Sequence, residues 1–144
     1  MQPDRFAATL VEGLPDALIY ADASGAILVW NRGAERLFGF TEADALGQSL
    51  DLIIPQTLRQ RHWDGFHQTM HTGETRYGDG QVLSVPAIRK DGTRISVEFT
   101  IVPFTDESGR MEGIAAVMRD ATARFEEVRA LRKELAALKA GQGG

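Results

Sequence analysis

The chain has 144 residues, 43% hydrophobic and 25% charged, and carries 16 basic against 20 acidic side chains for a formal net charge of −4. This is the size of one ordinary domain with its own core, and the acidic balance argues against a nucleic-acid surface. With no cysteine present, disulfides, thiolate-bound haem, zinc–cysteine sites and cysteine-adduct flavin photochemistry are excluded.

No apolar run is long enough to span a bilayer. The opening residues lack the apolar stretch of a signal peptide. A cytoplasmic protein without membrane contact is expected. Residues 1–12 read as an N-terminal helical cap. Pro3 suits a helix start, and Phe6, Leu10 and Val11 share one side. Two apolar runs, Ala17 to Ala21 and Ile27 to Trp30, flank Ser24-Gly25 and predict a hairpin. Asn31 is placed to cap the helix that follows. Thr41 to Leu50 reads as short helical turns, stopped by Gly47.

Pro55 opens a longer predicted helix over about 56–71, stopped by Thr72-Gly73. The period then changes to two. Two strands surround a Lys90-Asp91-Gly92 turn, and Ile95, Val97, Phe99 and Ile101 alternate with Ser96, Glu98 and Thr100. After a turn at Asp106 to Gly109, "GIAAVMRD" is the last strand. The fold class is therefore α+β: a five-stranded antiparallel sheet with helices on one face, domain 13–121. Residues 122–144 read as an amphipathic C-terminal linker helix with a frayed "GQGG" end. Val128, Leu131, Leu135 and Leu138 step by heptad spacing. That seam serves either a homodimer contact or packing on the chain's own domain.

All three histidines lie on the helix of 56–71. At about 100° per residue, His62 falls in the middle of the apolar stripe with Leu58, Phe66, Thr69 and Met70. His67 and His71 face the opposite side. Spaced four apart, those two could grip a metal from one helix face, but no third ligand stands nearby, and solvated surface histidines are expected. An imidazole on an apolar face needs a partner for its ring nitrogens. That partner is either a neighbouring protein group or a haem iron. Gly65 weakens its helix by up to ~1 kcal/mol against alanine. It marks close backbone approach, either to a bulky bound group or to the sheet. "YGDGQ" lacks the spacing of a phosphate loop. No nucleophile–base set is visible, so an enzyme is not expected.

The stretches "GLPDALIYADASGAILVWNRGAERLFGFTEADALGQSLDLIIP" and "RKDGTRISVEFTIVPFTDESGRMEGIAAVMRD", in this order, resemble the PAS domain family over about residues 8–122. Asp120-Ala121-Thr122 resembles the Asp-x-Thr junction that joins such domains to an output helix. The resemblance implies a sensory or interaction module that holds a small molecule, or nothing, between sheet and helix. "RHWDGFHQTMHTGE" further resembles the corresponding helix of the oxygen-sensing haem PAS domains of bacterial sensor kinases, with His62 at the iron-ligand position.

Those domains carry an arginine or methionine on the strand after the helix. Here that region is "RYGDGQVLSVP", and Gln81 is the nearest alignable polar residue, able to donate a hydrogen bond to bound gas. The resemblance thus implies haem b on His62, a diatomic gas ligand and an effector or kinase partner, while the heptad seam favours a homodimer. The expected cavity wall is Leu58, Phe66, Ile95, Val97, Phe99, Ile101, Ile114 and Met118. Another small ligand, or a cofactor-free interaction and dimerisation domain, are the alternatives. Flavin is less favoured.

Overall fold

The computed structural model describes residues 1–73 and 81–142. The elements are α1 (Pro3–Gly13), β1 (Ala17–Asp22), β2 (Ile27–Trp30), α2 (Arg32–Phe38), α3 (Glu42–Ala45), α4 (Arg59–Thr72), β3 (Leu83–Ile88), β4 (Arg94–Thr105), β5 (Met111–Asp120) and α5 (Thr122–Gln142). Two short 3-10 turns, Leu50–Ile53 and Gln56–Leu58, lead into α4. The strands form one five-stranded antiparallel sheet, as the strand pattern predicts, in the order β2-β1-β5-β4-β3.

Local chemistry explains the first half. In the β1–β2 turn the Asp22 carboxylate accepts from the Ser24 amide and hydroxyl and from the Ala26 amide, while Gly25 takes a φ of 85° that side-chain-bearing residues avoid. Asn31 is fully buried and satisfied on both ends. Its Oδ1 accepts from Leu18 N at 2.8 Å and Ala34 N at 2.9 Å; its Nδ2 donates to Val11 O at 2.7 Å and Asp16 O at 3.1 Å. One side chain thus caps α2 and ties it to β1 and the end of α1. Thr41 and Asp44 form a reciprocal capping box on α3.

Along β1, Ala17, Ile19 and Ala21 are buried while Leu18, Tyr20 and Asp22 are only partly so. This period of two places one sheet face in the core. Ile19, Ile27, Trp30, Phe38, Ile95 and Val97 build the centre of that core. Trp30 packs on Phe38, and its indole N–H donates to Phe40 O at 2.9 Å.

The structure departs from the sequence reading in two places. The helix expected over 56–71 begins as a 3-10 turn and becomes α-helical only at Arg59. The apolar side of α1 is not buried: Phe6 and Leu10 are 57% and 49% exposed, so α1 is held through its C-terminal end at Val11 O rather than by its apolar stripe. Of the end expected to be frayed, Gly141 and Gln142 continue α5, while Gly143-Gly144 lie outside the described residues, as does the glycine-rich segment 77–80.

Pro86 sits in β3, opposite Ser96 of β4. Ser96 turns its own backbone groups the other way: its N–H donates to Thr122 Oγ1 and its carbonyl accepts from Ala121 N. Pro86 is therefore at a pair without ladder hydrogen bonds, where its missing N–H would point outward.

Candidate functional site

A cavity of about 550 Å³ opens between α4 and the sheet. From α4 and its leading turn it takes Leu58, Arg61, His62, Gly65, Phe66 and Thr69, the stripe a helix presents at i, i+3, i+4 and i+7. The sheet contributes Val97, Phe99 and Ile101 of β4, Ile114, Ala116 and Met118 of β5, and Ile19 and Ala21 of β1. Ile53 and Ile54 close the end beside the 3-10 turns. Apolar side chains make up most of this wall.

His62 faces this cavity. Its Nδ1 is out of contact with solvent and finds no hydrogen-bond partner among the described residues. An unpaired buried nitrogen costs free energy unless something completes it. Burial lowers the imidazole pKa below its ordinary 6.5; His67 adds to this, and the Asp51 carboxylate opposes it. The ring is therefore held neutral, the form that binds a metal.

Gly65 has nothing within 4 Å of the position a Cβ would occupy. Close helix–sheet packing, one of the two explanations its position in the helix allows, is thereby removed. The glycine leaves open space beside His62 at the cavity wall.

Trp63, which sequence reasoning passed over, fixes where α4 lies. Its indole N–H donates to Asp51 Oδ1 at 2.7 Å. Its ring lies so close over Gly25 that a Cβ there would collide with it. It also meets the rings of His62 and Phe66 edge-on. The glycine beneath the ring was readable only as a turn residue, because this contact joins segments far apart in sequence.

Leu58, His62, Phe66, Val97, Phe99, Ile101, Ile114 and Met118 all line the cavity as expected from their faces. Two expected residues do not. Ile95 is on the correct face, opposite Ala87, but is buried in the packed core and is not part of the cavity wall. Gln81 is exposed ahead of β3 and is not part of the cavity wall; the strand that contributes there starts at Leu83. Arg61, Thr69 and Ser84 are the polar members of the wall besides His62; of these, helical spacing alone placed Thr69 on the stripe of His62. His67 and His71 are exposed on the other side of α4, where His67 stacks on Trp63. Among the described residues no group of three His, Cys, Asp or Glu could hold a metal ion.

The sheet connects this cavity to the last helix. Ala121 N donates to Ser96 O at 2.8 Å, Thr122 Oγ1 accepts from Ser96 N at 3.0 Å, and Asp120 accepts from Thr122 N at 2.9 Å. Arg124 pairs with Glu98 at 3.1 Å. The first turn of α5 is thus clasped to β4, on either side of cavity-lining Val97.

The PAS fold family profile matches residues 5–121. The chain belongs to the PAS family. The sensor protein FixL of Bradyrhizobium diazoefficiens is 31% identical over 114 residues, covering 79% of this chain and 22% of that protein. The oxygen sensor protein DosP of Escherichia coli is 27% identical over 101 residues, covering 70% of this chain and 12% of that one. This PAS domain therefore spans less than a quarter of either relative. The PAS domain of a Colwellia psychrerythraea protein superposes with a TM-score of 0.73 at 22% identity, covering 85% of this chain and 99% of that structure, which establishes the shared fold. PAS is a sensory fold, and among the described residues no helix is long and apolar enough to cross a membrane.

Proposed function

We propose that this PAS domain is a sensory module whose cavity holds haem b, with His62 as the iron ligand. The observation that carries the reading is the buried, unpartnered Nδ1 of His62 in a largely apolar cavity. The open space at Gly65 supports it, as does the likeness to a relative named as an oxygen sensor.

The residues fit such a group. The neutral imidazole offers a ring nitrogen, and the sheet side offers flat apolar packing from Phe99, Ile101 and Ile114. Arg61 lines the same cavity without a hydrogen bond or ion pair among the described residues, and so offers a cation to the cofactor's carboxylates. Bound haem supplies an iron at which a diatomic gas binds or a redox change occurs. The protein's part is to hold the ring neutral, exclude water and register any displacement of the sheet. A shift of β4 at Val97 reaches Ser96, and through the Ser96–Thr122 clasp reaches α5. The partner at the far end of that helix would be an effector or kinase.

The test is the absorption spectrum of protein produced with ample haem. A Soret band that moves or disappears in His62→Ala supports the reading. No Soret band, or one indifferent to His62→Ala, overturns it. The second reading, a cofactor-free interaction and dimerisation domain, is favoured by the exposed apolar residues of α5. It would stand if the protein took up no haem yet associated through that helix.

A further inference from the structure

The two walls of the cavity differ in chemistry. The α4 wall carries polar side chains, Arg61, His62 and Thr69. The facing wall is built from Val97, Phe99 and Ile101 of β4 and Ile114, Ala116 and Met118 of β5. None of these six side chains carries a hydrogen-bond donor. β1 adds Ile19 and Ala21, equally apolar.

The remaining strand, β3, follows the same rule. Leu83 lies opposite Phe99 and Val85 opposite Val97, so both share the cavity face of β4. Ser84 borders the cavity, but it is exposed and lies opposite Glu98. The Glu98 carboxylate pairs with Arg124 of α5 and does not line the cavity. By the alternation of the strand, the Ser84 hydroxyl belongs to that other face. Strand amides do not take its place, since they point along the sheet to neighbouring strands rather than out of its face. On the helix side, the Thr69 hydroxyl is already donated to Gly65 O at 3.0 Å. Among the described residues, no side-chain donor points into the cavity from the sheet.

This asymmetry bears on which gas the cavity would accept. With His62 reaching in from α4, the open axial side of a haem faces the sheet. Polarity and hydrogen-bond donors on that side decide which diatomic is retained. Dioxygen takes on negative charge there and is held by a donor beside it. Carbon monoxide stays nearly neutral and needs none. Surroundings of Val, Ile and Phe disfavour the charge-separated ligand and cost the neutral one little.

We infer that the sheet wall selects carbon monoxide against dioxygen. The inference rests on the reading of His62 as the iron ligand, and it assigns the gas preference to β3, β4 and β5 rather than to α4. That preference differs from the one in the name of the oxygen sensor protein DosP.

The test uses the full chain, loaded with haem and reduced. A Soret band that depends on His62 comes first. Without it, the cofactor reading falls and this inference falls with it. With it, laser photolysis gives the binding constants of both gases before the iron is oxidised. Carbon monoxide should bind tightly, while half-saturation by dioxygen should lie above the concentration reached in air-equilibrated buffer. Half-saturation below that level overturns this inference alone, because a donor then reaches the gas. Leu83→Gln, Ile101→Gln and Ile114→Gln each offer an amide from a different strand. At least one of them should tighten dioxygen binding about ten- to hundredfold and leave carbon monoxide nearly unchanged. Ile101→Met, of similar length but without a donor, should do neither. The infrared stretch of bound carbon monoxide gives a second readout: it should move to lower frequency in the glutamine variant that tightens dioxygen. If haem-loaded glutamine variants hold dioxygen no better than wild type and the stretch stays in place, the sheet wall does not face the gas and the assignment fails.

Discussion

The indole of Trp63 and the carboxylate of Asp51 share a 2.7 Å hydrogen bond that joins α4 to the 3-10 turn ahead of it. The same ring rests against Gly25 in the β1–β2 turn. One side chain therefore sets the distance between the helix that carries His62 and the sheet. Trp63→Phe keeps a ring but loses the hydrogen bond, and should cost about 1–2 kcal/mol, read as a lower denaturant midpoint. Gly25→Ala should cost at least as much. It must both adopt a left-handed backbone conformation and displace the ring. If ligand uptake depends on the position of α4, both variants also bind less at temperatures where they remain folded.

Gly65 is expected to behave oppositely. Gly65→Ala meets no atom within 4 Å and removes a weak point in the helix, so it should raise stability by up to about 1 kcal/mol. Gly65→Leu should also fold, but its side chain would stand beside His62 in the space a bound group would need. Thermal unfolding checks the first effect and titration with haem the second. A destabilised Gly65→Ala would show that the space is not open.

Asn31 gives a test that separates capping from burial. Asn31→Ala removes the acceptor for Leu18 N and Ala34 N and the donor for Val11 O and Asp16 O, and should cost about 2–4 kcal/mol. Asn31→Asp keeps a good capping oxygen, yet places a buried carboxylate against those two carbonyl oxygens. It should be no more stable than the alanine variant at neutral pH. Urea denaturation with an unchanged slope compares the two. An aspartate variant close to wild type would show that only the cap matters.

His62 makes stability depend on pH in the absence of ligand. Burial lowers its pKa in the folded chain. As pH falls from neutrality, the unfolded chain takes up this proton first. Stability therefore declines as pH drops below about 6.5 and stops declining once the folded-state pKa is passed. His62→Phe should flatten this part of the curve above pH 5, where the carboxylates have not begun to titrate. Equal pH dependence in the two proteins would mean that the ring is not desolvated in solution.

Much of this fold could be read from the chain because its signals are local. The period-two run from Ile95 to Ile101, the Ser24-Gly25 turn and the Asn31 cap each depend on residues close in sequence. The helical face containing Leu58, His62 and Phe66 was legible for the same reason. What was not legible depends on position along an element or on remote contacts. Ile95 has the right parity, but its side chain is taken up by the packed core and does not reach the cavity wall. Gln81 is placed only by its resemblance to a strand position of the haem PAS domains, and the wall begins two residues later at Leu83. The Trp63–Gly25 contact joins segments that no periodicity links. The bareness of α5 could not be foreseen, since a heptad seam looks the same whether its own domain covers it or not.

Pro86 has a consequence for how copies of this domain can meet. Sheets commonly grow by adding a neighbour's strand along an open border, one backbone amide at a time. At the β3 border, the residue that would offer such an amide is an imino acid, so strand-by-strand extension is interrupted there. Extension of the sheet through this border is therefore disfavoured.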